Sequence, residues 1–300
     1  MRAALQGSHL EHVQLEGGHF HGAVAQVSTD QLRVDWGAYS LAVLCQGQLS
    51  ADRLSLGLLI SGTGAWRVRG QQARNGDLLL LPEGGELTIS LPSQSQWLAV
   101  QVPRARLEAL GMKLEGLHTD GGWAGAAQHP GLQRAAAELA SALLTQPGTA
   151  PQAGDLTHIH EDLFAALAAA WATGPACRQA GAEPLCSNER WRVVRRAESY
   201  LASRTEPTVR IDDVCLAAGT SLSRLERAFR EVYGHSPRRT LTLRRMAAVR
   251  RELLAGHPGT SVTEAATRWG FFHLGRFAQD YAALYQERPS TTLQRSQLRH

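Results

Sequence analysis

Three groups of side chains in this 300-residue chain are equipped for chemistry. Two are histidine clusters, His19 with His21 and His158 with His160 and Glu161, which present themselves as candidate ligand sets. On a helix, His158 and Glu161 would share a face while His160 points away, so structural or solvated histidines are the favoured reading. The third group is a run of serines, arginines and a glutamate between Ser221 and Arg230, with a second polar set at His273, Arg276 and Gln279. Arginine can grip guanine through two hydrogen bonds, glutamine can do the same for adenine, and glutamate can accept from cytosine. That is the chemistry of reading base edges. No Walker, GxGxxG or GxSxG motif and no nucleophile–base pairing is present, so the chain is not expected to be an enzyme or to need a cofactor or metal.

Reading bases requires elements that hold these residues at a surface. The segment IDDVCLAAGTSLSRLERAFREVY at 211–233 places Ile211, Val214, Cys215 and Ala218 on one face of a short helix. Gly219 ends it in a left-handed turn, and Thr220 or Ser221 caps the next helix. Leu222, Leu225, Ala228 and Phe229 then face inward, leaving Ser223, Arg224, Glu226, Arg227 and Arg230 outside. This is a helix-turn-helix layout, whose second helix enters the major groove. A second unit follows: Ser261 and Glu264 spell a capping box for a helix over 262–269, and Gly270 turns the chain. A helix from about His273 to Tyr285 keeps Phe277, Tyr281 and Leu284 inside and Leu274, Gly275, Arg276 and Gln279 outside. Between the units a helix from Pro237 to about Leu254 carries Leu241, Met246, Val249 and Leu253. Its length of about 27 Å would let one chain address successive major-groove faces, about 34 Å apart. In the preceding helix, Trp191, Val194, Ala197 and Leu201 recur at three- and four-residue steps.

Residues from about Arg190 to Gln297 resemble the DNA-binding domain of the AraC/XylS family of transcription regulators. The matching residues are Gly219 with Ser221, RAFRE at 227–231, GHSP at 234–237, Arg245, Leu253 with Leu254, WGF at 269–271, Arg276 with Phe277, and Pro289. The chain departs from the family at Arg210, where a Ser/Thr cap is usual, at Cys215 for alanine and at Thr240 for tyrosine. The resemblance implies base-reading positions Ser223, Glu226 and Arg227 in the first unit, and Leu274, Gly275, Arg276 and Gln279 in the second, with Ser221 and His273 at the helix entrances. Arg224, Arg230, Arg238 and Arg239 suit phosphates better. Glu226 would take cytosine or orient Arg227. Leu274 and Gly275, poor in hydrogen bonding, would meet a thymine methyl or read groove shape. The resemblance further implies RNA polymerase as a partner, and activation rather than repression.

Charge divides in the same place. Residues 189–300 hold 20 of the 31 basic and 11 of the 27 acidic residues, a net of +9, which leaves −5 for residues 1–188. A basic half on a mildly acidic one points to a polyanion. From about 40 to 103, apolar runs at 78–81 and 97–102 alternate with glycines, as in a barrel or jelly roll. GAWRVRG at 64–70 and GDLLLLP at 76–82 resemble two strands of the cupin-like sensor common in this family. Residues 59–100 contain no histidine, which argues against the rival reading, a metal-dependent cupin enzyme with an accessory DNA-binding domain. A regulator controlled by a partner protein is the other rival. Trp36, Trp66 and Trp97 would line an effector pocket or fill the barrel core.

The fold class read from the sequence is α+β with two domains: an N-terminal cupin-like β jelly roll with a helical dimerisation segment, and a C-terminal all-α double helix-turn-helix. The limits are 1–174 for the sensor, 175–188 for the linker and 189–300 for the DNA-binding domain. Helical composition at 132–144 and 156–171 marks the segment 130–173 for homodimerisation. Cys177 and Cys186, eight residues between them, match no zinc or CxxC spacing; ordinary thiols are expected there, a redox switch being the alternative. There is no apolar stretch near the length of a membrane span and no signal-peptide pattern near the start, so a cytoplasmic location is expected. An unknown small-molecule effector and double-stranded DNA complete the expected partners.

Overall fold

A computed structural model describes residues 5–28, 32–109, 123–126, 189–202 and 210–298, with single positions between 110 and 169. The chain divides into two units, one of residues 1–11, 22–40 and 45–187, the other of residues 12–21, 41–44 and 188–300. The segment 130–173, His158, His160, Glu161, Cys177 and Cys186 lie outside the described residues or touch them only at isolated positions. Among the described residues no group of side chains could hold a metal ion, and no helix is long and apolar enough to cross a membrane.

The β unit is built from two sheets. One has the strand order β11 (Trp123–Ala126), β8 (Asp77–Leu81), β5 (Leu54–Ser61), β10 (Ser95–Val102), β3 (Arg33–Tyr39), β2 (Gly22–Ser28), with antiparallel pairing throughout. The other has the order β1 (His9–Gln14), β4 (Val43–Gln48), β9 (Glu86–Leu91), β6 (Trp66–Val68), β7 (Gln71–Ala73). On the first sheet Val34, Trp36, Leu56, Leu58, Leu78, Leu80, Leu98 and Val100 form one apolar core, joined by Leu107 of α1 (Arg104–Ala109). The opposite face, with Asp35, Tyr39, Ser55, Leu59, Leu79, Leu81, Trp97 and Gln101, is buried as well. Burial of both faces is why 78–81 is apolar at every position instead of alternating. The β6–β7 hairpin turns through Arg69 and Gly70, both at positive φ (49° and 84°), and the resemblance at 64–70 falls on it.

Register separates two of the three tryptophans. Trp97 pairs with Gly37 and Leu98 with Trp36, so Trp36 and Trp97 leave opposite faces of one sheet. Of the two readings of Trp36, Trp66 and Trp97, effector pocket or barrel core, Trp36 fits the second: it belongs to the leucine-rich core. Trp97 lies over Gly37, where an added Cβ would sit 2.2 Å from its Cζ2. Trp66 is fully buried and donates its indole N–H to Asn75 Oδ1 at 2.8 Å.

Asp35 is fully buried on β3. Its carboxylate accepts from Gln26 Nε2 at 2.7 Å, from Gln101 Nε2 at 3.2 Å and from the backbone N–H of Gln6 at 3.3 Å, tying three segments together. Burial nevertheless pushes its pKa up to about 6, the hydrogen bonds recovering only part of the lost solvation. The unfolded chain releases this proton near pH 4. Rising pH therefore draws about 2–3 kcal/mol of stability from the β unit across roughly pH 4–6, through this group alone. The expected result is that the wild-type melting temperature falls relative to that of Asp35→Asn as pH is raised from 4 to 7. Parallel pH profiles for the two proteins would count against it. The comparison with Asn removes the contribution of His12, which burial pushes down to about 4 and which loses stability in the opposite direction, as pH falls.

Candidate nucleic-acid interface

The helical unit runs α2 (Glu189–Ala202), α3 (Ile211–Ala218), α4 (Leu222–Tyr233), α5 (Pro237–Ala255), α6 (Val262–Arg268), α7 (Leu274–Tyr285), α8 (Pro289–Gln297). In α3, Val214 and Ala218 are buried and Ile211 and Cys215 pack beside them, the face expected from spacing. Arg210 stands at its N-cap and makes no side-chain cap bond, so the departure from a Ser/Thr cap leaves that end without a side-chain cap. Asp212 and Asp213 in the first turn complement the helix dipole instead. At the other end Gly219 has φ 63°. Gly219 N–H reaches Leu216 O and Thr220 N–H reaches Cys215 O, each at 3.0 Å, the paired bonds of a Schellman turn.

That turn delivers Ser221, whose side chain accepts from the Arg224 backbone N–H at 3.5 Å and caps α4. Leu225, Ala228, Phe229, Val232 and Tyr233 are buried. Leu222, expected inward, is 45% exposed; it occupies the first helical position, beyond the turn that packs. Ser223, Arg224, Arg227 and Arg230 are exposed and Glu226 is half-buried. Glu226 Oε2 pairs with Arg230 NH2 at 3.3 Å, not with Arg227 as one reading of the sequence had it. Arg230 is thereby occupied, while Arg224 and Arg227 have no ion-pair partner among the described residues.

The second unit repeats the plan. Ser261 Oγ accepts from Glu264 N at 3.1 Å to cap α6. Trp269, expected as the last helical residue, is the C-cap; its indole N–H donates to Glu252 Oε2 at 3.1 Å. Gly270 turns at φ 82°. His273 is the N-cap of α7 and makes no side-chain cap bond. Phe277, Tyr281, Leu284 and Tyr285 are buried. Phe272, Leu274, Gly275, Arg276 and Gln279 are exposed, and Arg276 Nε lies 3.8 Å from Asp280 Oδ2.

Between the units, α5 holds both. Ser236 caps it by accepting from Arg239 N at 3.3 Å, with Pro237 opening the helix. Thr240, in place of the family's tyrosine, is buried and donates to Ser236 O at 3.0 Å, so the departure satisfies itself locally. Arg238 and Arg239 are exposed. Leu243, Met246, Val249 and Leu253 line the buried side. Two polar clusters, at Arg244 and Arg250, tie it to its neighbours. Toward the first unit, Glu198 of α2 accepts from Arg244 and from the Tyr233 hydroxyl, and burial pushes the Tyr233 phenol well up, keeping it a donor. Toward the second, Arg250 pairs with Glu287 at 2.7 Å, sits 4.3 Å from the Tyr285 ring centroid and donates to Tyr281 OH at 3.4 Å. Sequence reasoning missed these clusters because their members lie up to 46 residues apart and no motif joins them.

Two helix-turn-helix units on one connecting helix define a double helix-turn-helix domain. Residues 214–295 match the family model described as a helix-turn-helix domain. The probable thc operon regulatory protein of Rhodococcus erythropolis is 36% identical over 102 residues, 34% of this chain and 31% of that protein. The XylDLEGF operon transcriptional activator 1 of Pseudomonas putida is 34% identical over 109 residues, 36% of this chain and 32% of that protein. The chain thus spans about a third of the length of these curated relatives. Among solved structures, the AraC-like transcriptional activator CuxR is 15% identical, over 86% of this chain and 91% of its own, with a TM-score of 0.38. ToxT of Vibrio cholerae with an unsaturated fatty acid bound is 12% identical over 98% and 97%, with a TM-score of 0.34. Residues 214–295 thus form a helix-turn-helix domain similar in sequence to those of these operon regulators.

Proposed function

We propose that the chain is a sequence-specific DNA-binding transcription regulator, a ligand-responsive activator and not an enzyme. The observation that carries this reading is the outer surface of α4: Arg224 and Arg227 are exposed and have no ion-pair partner among the described residues, directly behind a Schellman turn and a serine cap. Arg227 and Arg276 are assigned to base edges and Arg224, Arg238 and Arg239 to phosphates. Residues 1–174 serve as the sensor, 175–188 as the connection and 189–300 as the reader. A cytoplasmic homodimer, formed through 130–173, recruits RNA polymerase when the β unit is occupied by its effector. Effector binding shifts a pre-existing equilibrium between two states of the protein.

Selection of binding sites from random-sequence DNA with the purified full chain tests this reading. A recurring site of about 20 base pairs with two segments one turn apart is expected; uniform, salt-governed binding to all DNA would reject it. A melting-shift screen of metabolites against the full chain tests the sensor. A phosphate contact carries its own signature. Arg238→Ala is expected to weaken every sequence alike and to reduce the slope of log K against log salt by about 0.9, measured by fluorescence anisotropy.

A further inference from the structure

On the reading just given, we infer that the second reader, α7, selects thymine by its 5-methyl group, through Phe272 and Leu274. Phe272 is 57% exposed and Leu274 38% exposed, one residue to either side of the N-cap His273. In a fold that packs the half-buried Phe271 against Phe277, with ring centroids 5.0 Å apart, the adjacent phenylalanine forgoes such burial and presents its ring to solvent.

Gly275 points the same way. A Cβ built there meets no atom within 4 Å, and its φ lies outside the left-handed region. Neither the packing nor the backbone of the protein calls for glycine, although glycine in a helix is less stable than alanine. The bare backbone is open to close approach from outside. Three of the residues entering α7 therefore offer a base neither a side-chain donor nor an acceptor. The major-groove edge of DNA carries one apolar group, the thymine methyl, and it is the group that such a surface fits. Arg276, 83% exposed on its side chain, supplies the neighbouring polar contact and fixes the register. The first reader has no such pair beside its arginines: Leu222 is exposed, but Ser221, Ser223 and Arg224 surround it with polar groups.

Replacing thymine by deoxyuridine removes the methyl and leaves every hydrogen-bonding group in place. Once the selected site is known, each thymine in it is replaced in turn and the dissociation constant of the full chain is measured at constant salt. At one or two positions in the segment protected by α7, affinity falls about fourfold per methyl, the loss expected for one buried methyl-sized group. A Phe272→Ala, Leu274→Ala double variant, altered only at exposed positions, binds thymine and deoxyuridine sites equally. Gly275→Ala raises the melting temperature while weakening the selected site. Deoxyuridine tolerated at every position, or a penalty that persists in the double variant, overturns the inference and leaves the regulator reading intact. Failure of the selection to yield any site overturns both.

Discussion

Replacing Arg227 and Arg276 together by alanine is expected to remove most of the sequence selectivity while leaving the protein folded. Each lies on the outer face of a separate reading helix, and each bidentate grip on a guanine is worth about 1–3 kcal/mol. The two sit on different helices with no shared partner, so their losses add. The sum of about 2–6 kcal/mol corresponds to roughly a 30- to 25,000-fold fall in affinity for the selected site. Arg227 forms no ion pair among the described residues, and Arg276 lies 3.8 Å from Asp280 on a well-solvated surface, a contact worth little to stability. The melting temperature should stay within about a degree or two of wild type, as for other exposed substitutions. Electrophoretic mobility shift against the selected site and a scrambled competitor gives the answer. A double variant that still prefers the site over the competitor as wild type does would refute the assignment of these arginines to bases.

The largest effect on stability is expected at Glu198, far from any base. Its carboxylate holds both Arg244 and the Tyr233 hydroxyl, and Glu198 and Arg244 have side-chain exposures of only 19% and 18%. Glu198→Ala leaves a cation and a phenol in a largely closed site. Breaking a buried pair costs about 3–5 kcal/mol; the residual exposure here brings the expectation to about 2–3 kcal/mol. For a unit of this size, that lowers the melting temperature by roughly 10 °C. Removing both charges with Glu198→Leu, Arg244→Leu should be milder than Glu198→Ala, because no uncompensated charge stays behind. Differential scanning calorimetry of the three proteins decides, and a double variant as unstable as Glu198→Ala would refute the pairing as the cause.

The helical unit was legible because its signals are local. Gly219, Ser221, Ser236, Pro237, Ser261 and Gly270 each do their work within a few residues, and the structure puts turns and caps at all of them. Ends of helices were less so: Leu222 fits the 3.6-residue period yet falls outside the packed turns. The β unit hid more. β1, β2 and β3 precede the stretch that read as strands; HLEHVQ and GAVAQVS lack the continuous apolar character of 78–81. The placement of Trp36 and Trp97 depends on a register that one residue would invert, and no local spacing encodes it. Asp35 draws its donors from Gln6, Gln26 and Gln101, whose association exists only once three segments are aligned. Phe272 was passed over because an exposed aromatic in a turn has no periodicity to betray it.

A connecting helix tied to both units acts as a ruler. α5 has 19 residues, about 28 Å of rod, with Arg244 bound to the first unit and Arg250 to the second. One base pair inserted between the two halves of a site would carry the second half about 3.4 Å along and roughly 35° around the duplex, out of reach of α7. On the proposed reading, the DNA sites of this protein are then constrained in helical phase as strictly as in sequence. Their halves can drift by substitution, one base at a time, but tolerate neither insertion nor deletion between them.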